Sequence, residues 1–393
     1  MANYLRIGTL IPLTLAIITF GSYGSLSIAA SPESLLEQAM SEVRAQKNKQ
    51  ALQTLNQLIA QYPDFQLAQL MRADLLYAQG NLLEKMGQPI DANTTGNLQA
   101  EAKARIKATK QPPEGTLPDY LMQVPSWLSH LITVDLSESR AYLFDIQKGQ
   151  LIFITSYYLT QGKLGAGKEK EGDKRTPIGV YRLTAPIPPL KLTPFYGAGA
   201  LPLDYPNTWD KRNNRSGHGI WLHGTPIGQY SRPPKASDGC MVFSNEDLQQ
   251  LMARVDWQRT LVVTDSKLKW QQPEEVIAPR SHLMQTLEHW RAAWERQDIG
   301  DYMRHYAPSF IGSNREDKQA YEIRKKQLFS YNRAHKIQIS DLLLVKYPGE
   351  ANLAVSVFTQ RYQRDGKDTL ERKRLWWQWQ GDQWKIINEE IIS

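Results

Sequence analysis

The apolar residues of this chain change their spacing twice, and each change falls at a proline-rich break. Up to about Lys110 they recur at helical intervals: Leu52, Leu55 and Ile59, then Leu67, Leu70, Met71 and Leu75. Pro112, Pro113, Gly115 and Pro118 end that pattern. Beyond them come short β-rich runs at 131–134, 141–144 and 151–159, with Gly/Pro loops between strands as far as about Thr264. A second break at 272–279 holds Pro273 and Pro279, after which Leu283, Leu287, Trp290 and Trp294 restore helical spacing. Alternating aromatic runs at 354–360 and 375–387, the latter with a Gly381-Asp382 turn, close the chain. No one layer architecture accommodates all three patterns. A multidomain fold is expected: a helical segment at 31–110, a linker at 111–128, a mostly-β domain at 129–268, a linker at 269–280 and an α+β domain at 281–393.

Within the helical segment, 51–80 resembles a single tetratricopeptide-type hairpin, with Pro63, Ala68 and Gly80 near the expected places; a generic helical domain fits as well. One hairpin cannot bury its own apolar face, so it should stack on helices at 31–47 and 97–110, and the segment is a candidate surface for protein partners. Six of the eleven tryptophans lie in the last domain (Trp290, Trp294, Trp376, Trp377, Trp379 and Trp384), where they either fill the core or line a concave pocket.

Residues 1–29 contain no acidic residue, one base (Arg6), an apolar run from Ile7 to Phe20 and small residues up to Ala29, the pattern of a secretory signal. The apolar core is shorter than the roughly 20 residues that span a bilayer. Membrane attachment would therefore come only from this segment left uncleaved, and the expected location is a periplasm or cell envelope. With 47 Lys+Arg against 40 Asp+Glu, the chain suits an anionic polymer but is too diffusely basic to argue for nucleic acid. One cysteine rules out an intramolecular disulfide and any zinc site needing two thiolates. An unpaired thiol in an oxidising compartment is a hazard unless it is used.

That thiol stands in Ser237-Asp238-Gly239-Cys240, downstream of a strand-like run that ends in His223-Gly224. A thiol becomes a nucleophile on losing its proton, and a nearby imidazolium lowers the pKa from its usual ~8.5. The same imidazole then protonates a leaving amine. The amides of Gly239 and Cys240 are candidate donors to an oxyanion. The alternative is an inert cysteine beside an unrelated histidine.

His223-Gly224 with Ser237-Asp238-Gly239-Cys240 resembles the catalytic signature of the L,D-transpeptidase (YkuD-type) family, and Gly172-Asp173-Lys174-Arg175-Thr176-Pro177-Ile178-Gly179-Val180-Tyr181 is similar to a second family segment. The resemblance spans about 129–268. It implies Cys240 as the nucleophile, His223 as general base and acid, Gly239 and Cys240 as oxyanion donors and Ser237 as a shaper of the loop. It further implies a peptidoglycan stem peptide as substrate, cleaved between diaminopimelate and the terminal D-alanine, with no metal or organic cofactor. Gly224 and Asp238 border the pair, and Arg215 and Arg232 lie in neighbouring loops, so these four are the substrate-binding candidates. A solvated loop charge is the alternative for each arginine, and His218 reads as a rim residue. Many family members carry histidine at the position of Asp238 and an arginine shortly after the cysteine, where this chain has Met241, Val242 and Phe243. Trp290, Trp294, Asp298, Tyr302, Tyr306 and Phe310, with a closing hairpin at Trp384, resemble an NTF2-like domain. That combination is similar to the cell-shape L,D-carboxypeptidases, which pass the acyl group to water. Transfer to an amine, transfer to water and a non-catalytic wall-binding scaffold all remain open at this stage.

Overall fold

In the computed structural model, residues 31–80, 92–331, 336–364 and 367–392 are described; the secretory signal expected at 1–29 lies outside them. Helix α1 (Pro32–Arg44) starts where Ser31 accepts a hydrogen bond from the Ser34 amide and Pro32 fills the first helical position. It packs Leu35, Leu36 and Ala39 against Ala51, Leu55 and Leu58 of α2 (Asn48–Gln61) and Leu67 and Ala68 of α3 (Gln66–Gly80). The α2–α3 hairpin coincides with the expected 51–80 unit, and α4 (Ala92–Lys107) adds Leu98. This helical core is completed by Tyr230, a residue of the β domain.

The β domain is a two-layer sandwich. A five-stranded sheet runs in the order Gln150–Tyr158, Arg140–Gln147, His130–Asp135, Thr260–Asp265, Gly179–Arg182. It faces a three-stranded sheet of Met241–Phe243, Trp221–Gly224 and Ala200–Pro202. Ile132, Val134, Leu143 and Val262 meet Leu201, Leu222, Met241 and Phe243 between the layers. The opposite face of the larger sheet presents Leu131, Tyr142, Phe144, Leu261 and Val263 to Leu343, Val345, Val355, Val357 and Trp376 of the C-terminal sheet. Burial on both faces explains why Leu261-Val262-Val263 is continuously apolar and does not alternate.

The C-terminal domain lays the helices Pro273–Glu295 and Lys318–Tyr331 on a six-stranded sheet ordered Tyr306–Gly312, Gln383–Ile392, Lys367–Gln380, Leu353–Arg364, Lys336–Lys346, Leu121–Gln123. Trp290 and Trp377 fill its core, and Trp376 belongs to the contact with the β domain. Trp294 lines a cavity of about 440 Å³ with Tyr321, Lys325, Gln360, Lys373 and Glu389.

Neither expected linker is a free connector. Leu121–Gln123, within 111–128, is the sixth strand of the C-terminal sheet, and Leu117–Pro118 pairs with Trp270–Gln271. The region 269–280 already contains the start of the long helix: Gln272 and Glu275 form a capping box, Pro273 takes the first turn, and the helix continues through Pro279. A first-turn proline gives up only an N–H that has no helical partner, so Pro273 marks a crossing between domains without loosening it. Among the described residues, no helix is long and apolar enough to cross a membrane.

Candidate active site

Strands Trp221–Gly224 and Met241–Phe243 are parallel neighbours, with Leu222 opposite Met241 and His223 opposite Val242. Leu222, Met241 and Phe243 point into the sandwich core. Side chains alternate along a strand, so His223, Val242 and the residue two before Val242 share the other face. That residue is Cys240, which immediately precedes the strand, so the parallel register brings it to the side of the sheet that carries the imidazole.

His223 is buried, with Nδ1 2.7 Å from its neighbour's carbonyl, Gly224 O. A carbonyl only accepts, so the proton sits on Nδ1 and Nε2 is left as the basic nitrogen. The ring of Tyr196 lies 5.0 Å from the imidazole and that of Phe195 6.1 Å. The half-buried Cys240 thiol donates to Gly219 O at 3.3 Å. Loss of water pushes the thiol up to about 11, against the pull of the Trp221 amide and the charges of Lys168 and Arg232. Loss of water also lowers His223 to about 4, and the Arg232 charge adds to that. At neutral pH the resting pair is therefore an uncharged thiol and an uncharged imidazole. The imidazolium expected to depress the thiol is not formed at rest, because burial disfavours both charged forms more than the surroundings favour them.

Ser237 ties the loop before Cys240 together: its Oγ donates to Cys240 O at 2.6 Å and accepts from the Gly239 amide at 3.1 Å. The Gly239 amide, expected to face an oxyanion, is thus engaged by Ser237, which leaves the Cys240 amide as the candidate donor of that pair. Gly239 has φ +133°, and a Cβ there would stand 2.8 Å from Arg175 O, so only glycine fits. Thr176 bridges the two motifs by donating to Gly239 O at 3.0 Å while accepting from the Gly162 amide at 2.9 Å. Behind it, Asp173 accepts from the amides of Glu169, Lys170 and Arg175 and from Lys168 Nζ. Burial alone would raise its carboxyl, but these donors bring it down to about 2.

The four substrate-binding candidates fall in different places. Gly224 is packed against the Asn245 side chain and lies so close to Ala198 that a Cβ would sit 2.9 Å from its amide nitrogen; its role there is close packing. Asp238 is exposed, 3.1 Å from Lys163 Nζ. Arg215 pairs with Asp210 and with Glu350 of the C-terminal domain, both at 3.1 Å, so its charge is spent on holding the two domains together. Arg232 is different. Its Nη2 donates to Ala236 O, its Nη1 is buried without a partner, and its charge acts on both Cys240 and His223. His218 is exposed at the rim, beside Glu171.

Thr176, the Trp221 amide and the aromatic pair Phe195/Tyr196 were not among the sequence candidates. Thr176 had a signal, since it sits inside the second motif; the aromatics come from a loop whose approach to His223 nothing local announces. Among the described residues, no group of three or more His, Cys, Asp or Glu is placed to hold a metal ion.

Residues 129–269 match the L,D-transpeptidase catalytic domain family YkuD, and residues 282–390 match the Cds6 C-terminal NTF2-like domain family. The structure of Bdellovibrio bacteriovorus Bd1075 is similar, with 29% identity and TM-score 0.62 over 70% of this chain and 98% of that one. The helical cell shape determining protein Pgp2 from Campylobacter jejuni shares the fold, with 23% identity and TM-score 0.58 over 75% of this chain and 99% of that one. No curated protein matches the sequence.

Proposed function

Because the chain joins a YkuD-type L,D-transpeptidase catalytic domain to a Cds6-type NTF2-like domain, we propose that it is a cysteine acyltransferase acting on peptidoglycan stem peptides in the cell envelope. The geometry that carries the reading is Cys240 at the start of a strand that pairs in parallel with the strand of His223, with the charge of Arg232 acting on both.

Each group then has a task. The terminal carboxylate of a tetrapeptide stem would pair with the Arg232 guanidinium, a charge-assisted contact. This brings the diaminopimelate carbonyl over Cys240. Sγ attacks the carbonyl carbon as His223 Nε2 takes the thiol proton, so no resting thiolate is needed. Oxyanion charge is met by the Cys240 amide. His223 returns the proton to the D-alanine nitrogen as the C–N bond breaks, leaving a thioester. A second nucleophile, an amine or water, gives its proton to His223 and attacks the thioester, and the thiol is restored.

Hydrolysis is the second reading, and one observation favours it. Met241, Val242 and Phe243 are buried in or beside the sandwich core, so no cation follows the nucleophile to hold a second stem. Trimming of stems would bear on cell shape, the property for which Pgp2 of Campylobacter jejuni is named. Incubating the mature protein with purified tetrapeptide muropeptides and weighing the products separates the outcomes. Loss of one alanine means transfer to water, and a dimer lacking one alanine means transfer to an amine. Activity that survives Cys240→Ala would overturn the assignment of the nucleophile, and a wild-type protein without product would leave the scaffold reading standing.

A further inference from the structure

The loop between His223 and Cys240 contains Pro226, Gly228, Pro233 and Pro234 and has little regular structure of its own, yet it carries Arg232. What fixes it comes from the N-terminal helices. Tyr230 is buried in the helical core, its ring 4.2 Å from Phe65 and 5.3 Å from Tyr62 at the α2–α3 turn. The next residue, Ser231, donates to Glu101 of α4 at 2.7 Å. Glu101 is fully buried and accepts from Arg105 Nε at 3.0 Å, and Arg105 also pairs with Glu33 of α1. The Arg105 guanidinium lies 4.0 Å from the ring centre of Tyr158, whose hydroxyl donates to Arg232 O at 2.9 Å. Thr160 donates to the same carbonyl at 3.0 Å. The backbone of Arg232 is thus gripped by strand hydroxyls at its carbonyl and by helical side chains at the two residues before it.

We infer that the N-terminal helical layer is a working part of the active site, with Tyr230, Ser231 and Glu101 as positioning residues that set where the Arg232 guanidinium meets substrate. This rests on the proposed role of Arg232 as the carboxylate partner. None of the three touches the reacting atoms. They act by denying a Pro/Gly-rich loop its other conformations, so that the guanidinium is held in one place. Helical segments in an enzyme of this kind need not serve partners alone; here they complete a binding site whose other half is on the sandwich.

The test uses the mature full-length protein and two stem tetrapeptides, one with a free terminal carboxylate and one with that carboxylate amidated. Wild type should favour the free acid in kcat/KM by roughly 10- to 100-fold, the value of one charge-assisted contact. Arg232→Ala should erase the preference. Tyr230→Ala should cut it to about threefold or less through KM on the free acid, with Cys240 alkylation at pH 9 unchanged; Tyr230→Phe should keep it, because packing and not the hydroxyl is at work. Ser231→Ala, which removes a single hydroxyl, provides a mild variant should Tyr230→Ala fail to fold, and should weaken the preference in the same sense. If Arg232→Ala loses the preference while Tyr230→Ala or Ser231→Ala, whichever folds, retains it, the positioning role is wrong and the Arg232 reading stands. The positioning role is also wrong if those variants slow the amide and the alkylation equally. If Arg232→Ala itself keeps the preference, the Arg232 reading falls and this inference with it.

Discussion

At pH 7 the Cys240 thiol should react with iodoacetamide about 30-fold more slowly than a free thiol, and its rate should climb about tenfold per pH unit well past pH 9. The estimate follows from its surroundings. Burial holds the thiol at about 11, against ~8.5 for free cysteine, so the thiolate fraction at pH 7 is roughly 300-fold lower. A more basic thiolate is intrinsically more nucleophilic, with a Brønsted slope of about 0.4–0.5, which returns roughly tenfold. The second-order rate is to be measured by mass spectrometry on the intact protein from pH 6 to 10; with one cysteine in the chain the adduct is unambiguous. His223→Ala should leave the profile almost unchanged, because the imidazole is uncharged above its value of about 4, yet it should abolish turnover. A rate that levels off below pH 8, or that matches a free thiol at pH 7, would refute the reasoning. Either would mean that a thiolate–imidazolium pair is already formed at rest.

Four further outcomes are expected. The kcat/KM profile should hold steady near neutrality and fall on the acid side only around pH 4, where His223 gains its proton and can no longer accept one from the thiol; an acid limb at pH 6 or above would contradict the burial argument. Ser237→Ala should strip the partners from the Gly239 amide and the Cys240 carbonyl, costing about 1–3 kcal/mol in thermal unfolding and ~100-fold in kcat from a misplaced loop. Thr176→Val keeps the shape but leaves Gly162 N and Gly239 O unpaired, so it should lose about 2 kcal/mol and most activity, with Thr176→Ser restoring both. Asp173 is lowered from 3.8 to about 2, so its ~2 kcal/mol of stability is present above the higher value and lost as pH falls through the lower one. Asp173→Asn should therefore destabilise at pH 7 and flatten the decline between pH 4 and 2, as read by urea unfolding.

Much of this molecule was legible from residue order because its signals are local. Helical spacing in 51–80 gave a real hairpin, and the β-rich runs at 131–134 and 141–144 are adjacent strands of one sheet. The Ser237-Asp238-Gly239-Cys240 turn is built from its own hydroxyl and amides, so Ser237 does what its type and position suggest. The breaks were misleading for a related reason. Prolines announce where a local pattern stops and say nothing of what the chain then pairs with. Leu121–Gln123 becomes a strand only because Lys336–Lys346, over two hundred residues away, offers it an edge.

The arginines show the same division. Arg215 and Arg232 are alike in sequence, each a lone base in a polar loop. Folding gives one of them two carboxylate partners and leaves the other with a buried nitrogen unpaired and its charge acting on Cys240 and His223. The charge state of Cys240 and His223 was also beyond a linear reading, because it depends on how much water each group loses. By itself, the sequence determined which residues are candidates for chemistry, the turns that bear them and the periods of the three domains, all properties of neighbours along the chain. Tertiary structure alone decided that the helices reach the loop between His223 and Cys240, that the large sheet is buried on both faces and that thiol and imidazole rest uncharged, since burial and long-range pairing exist only once distant segments have met.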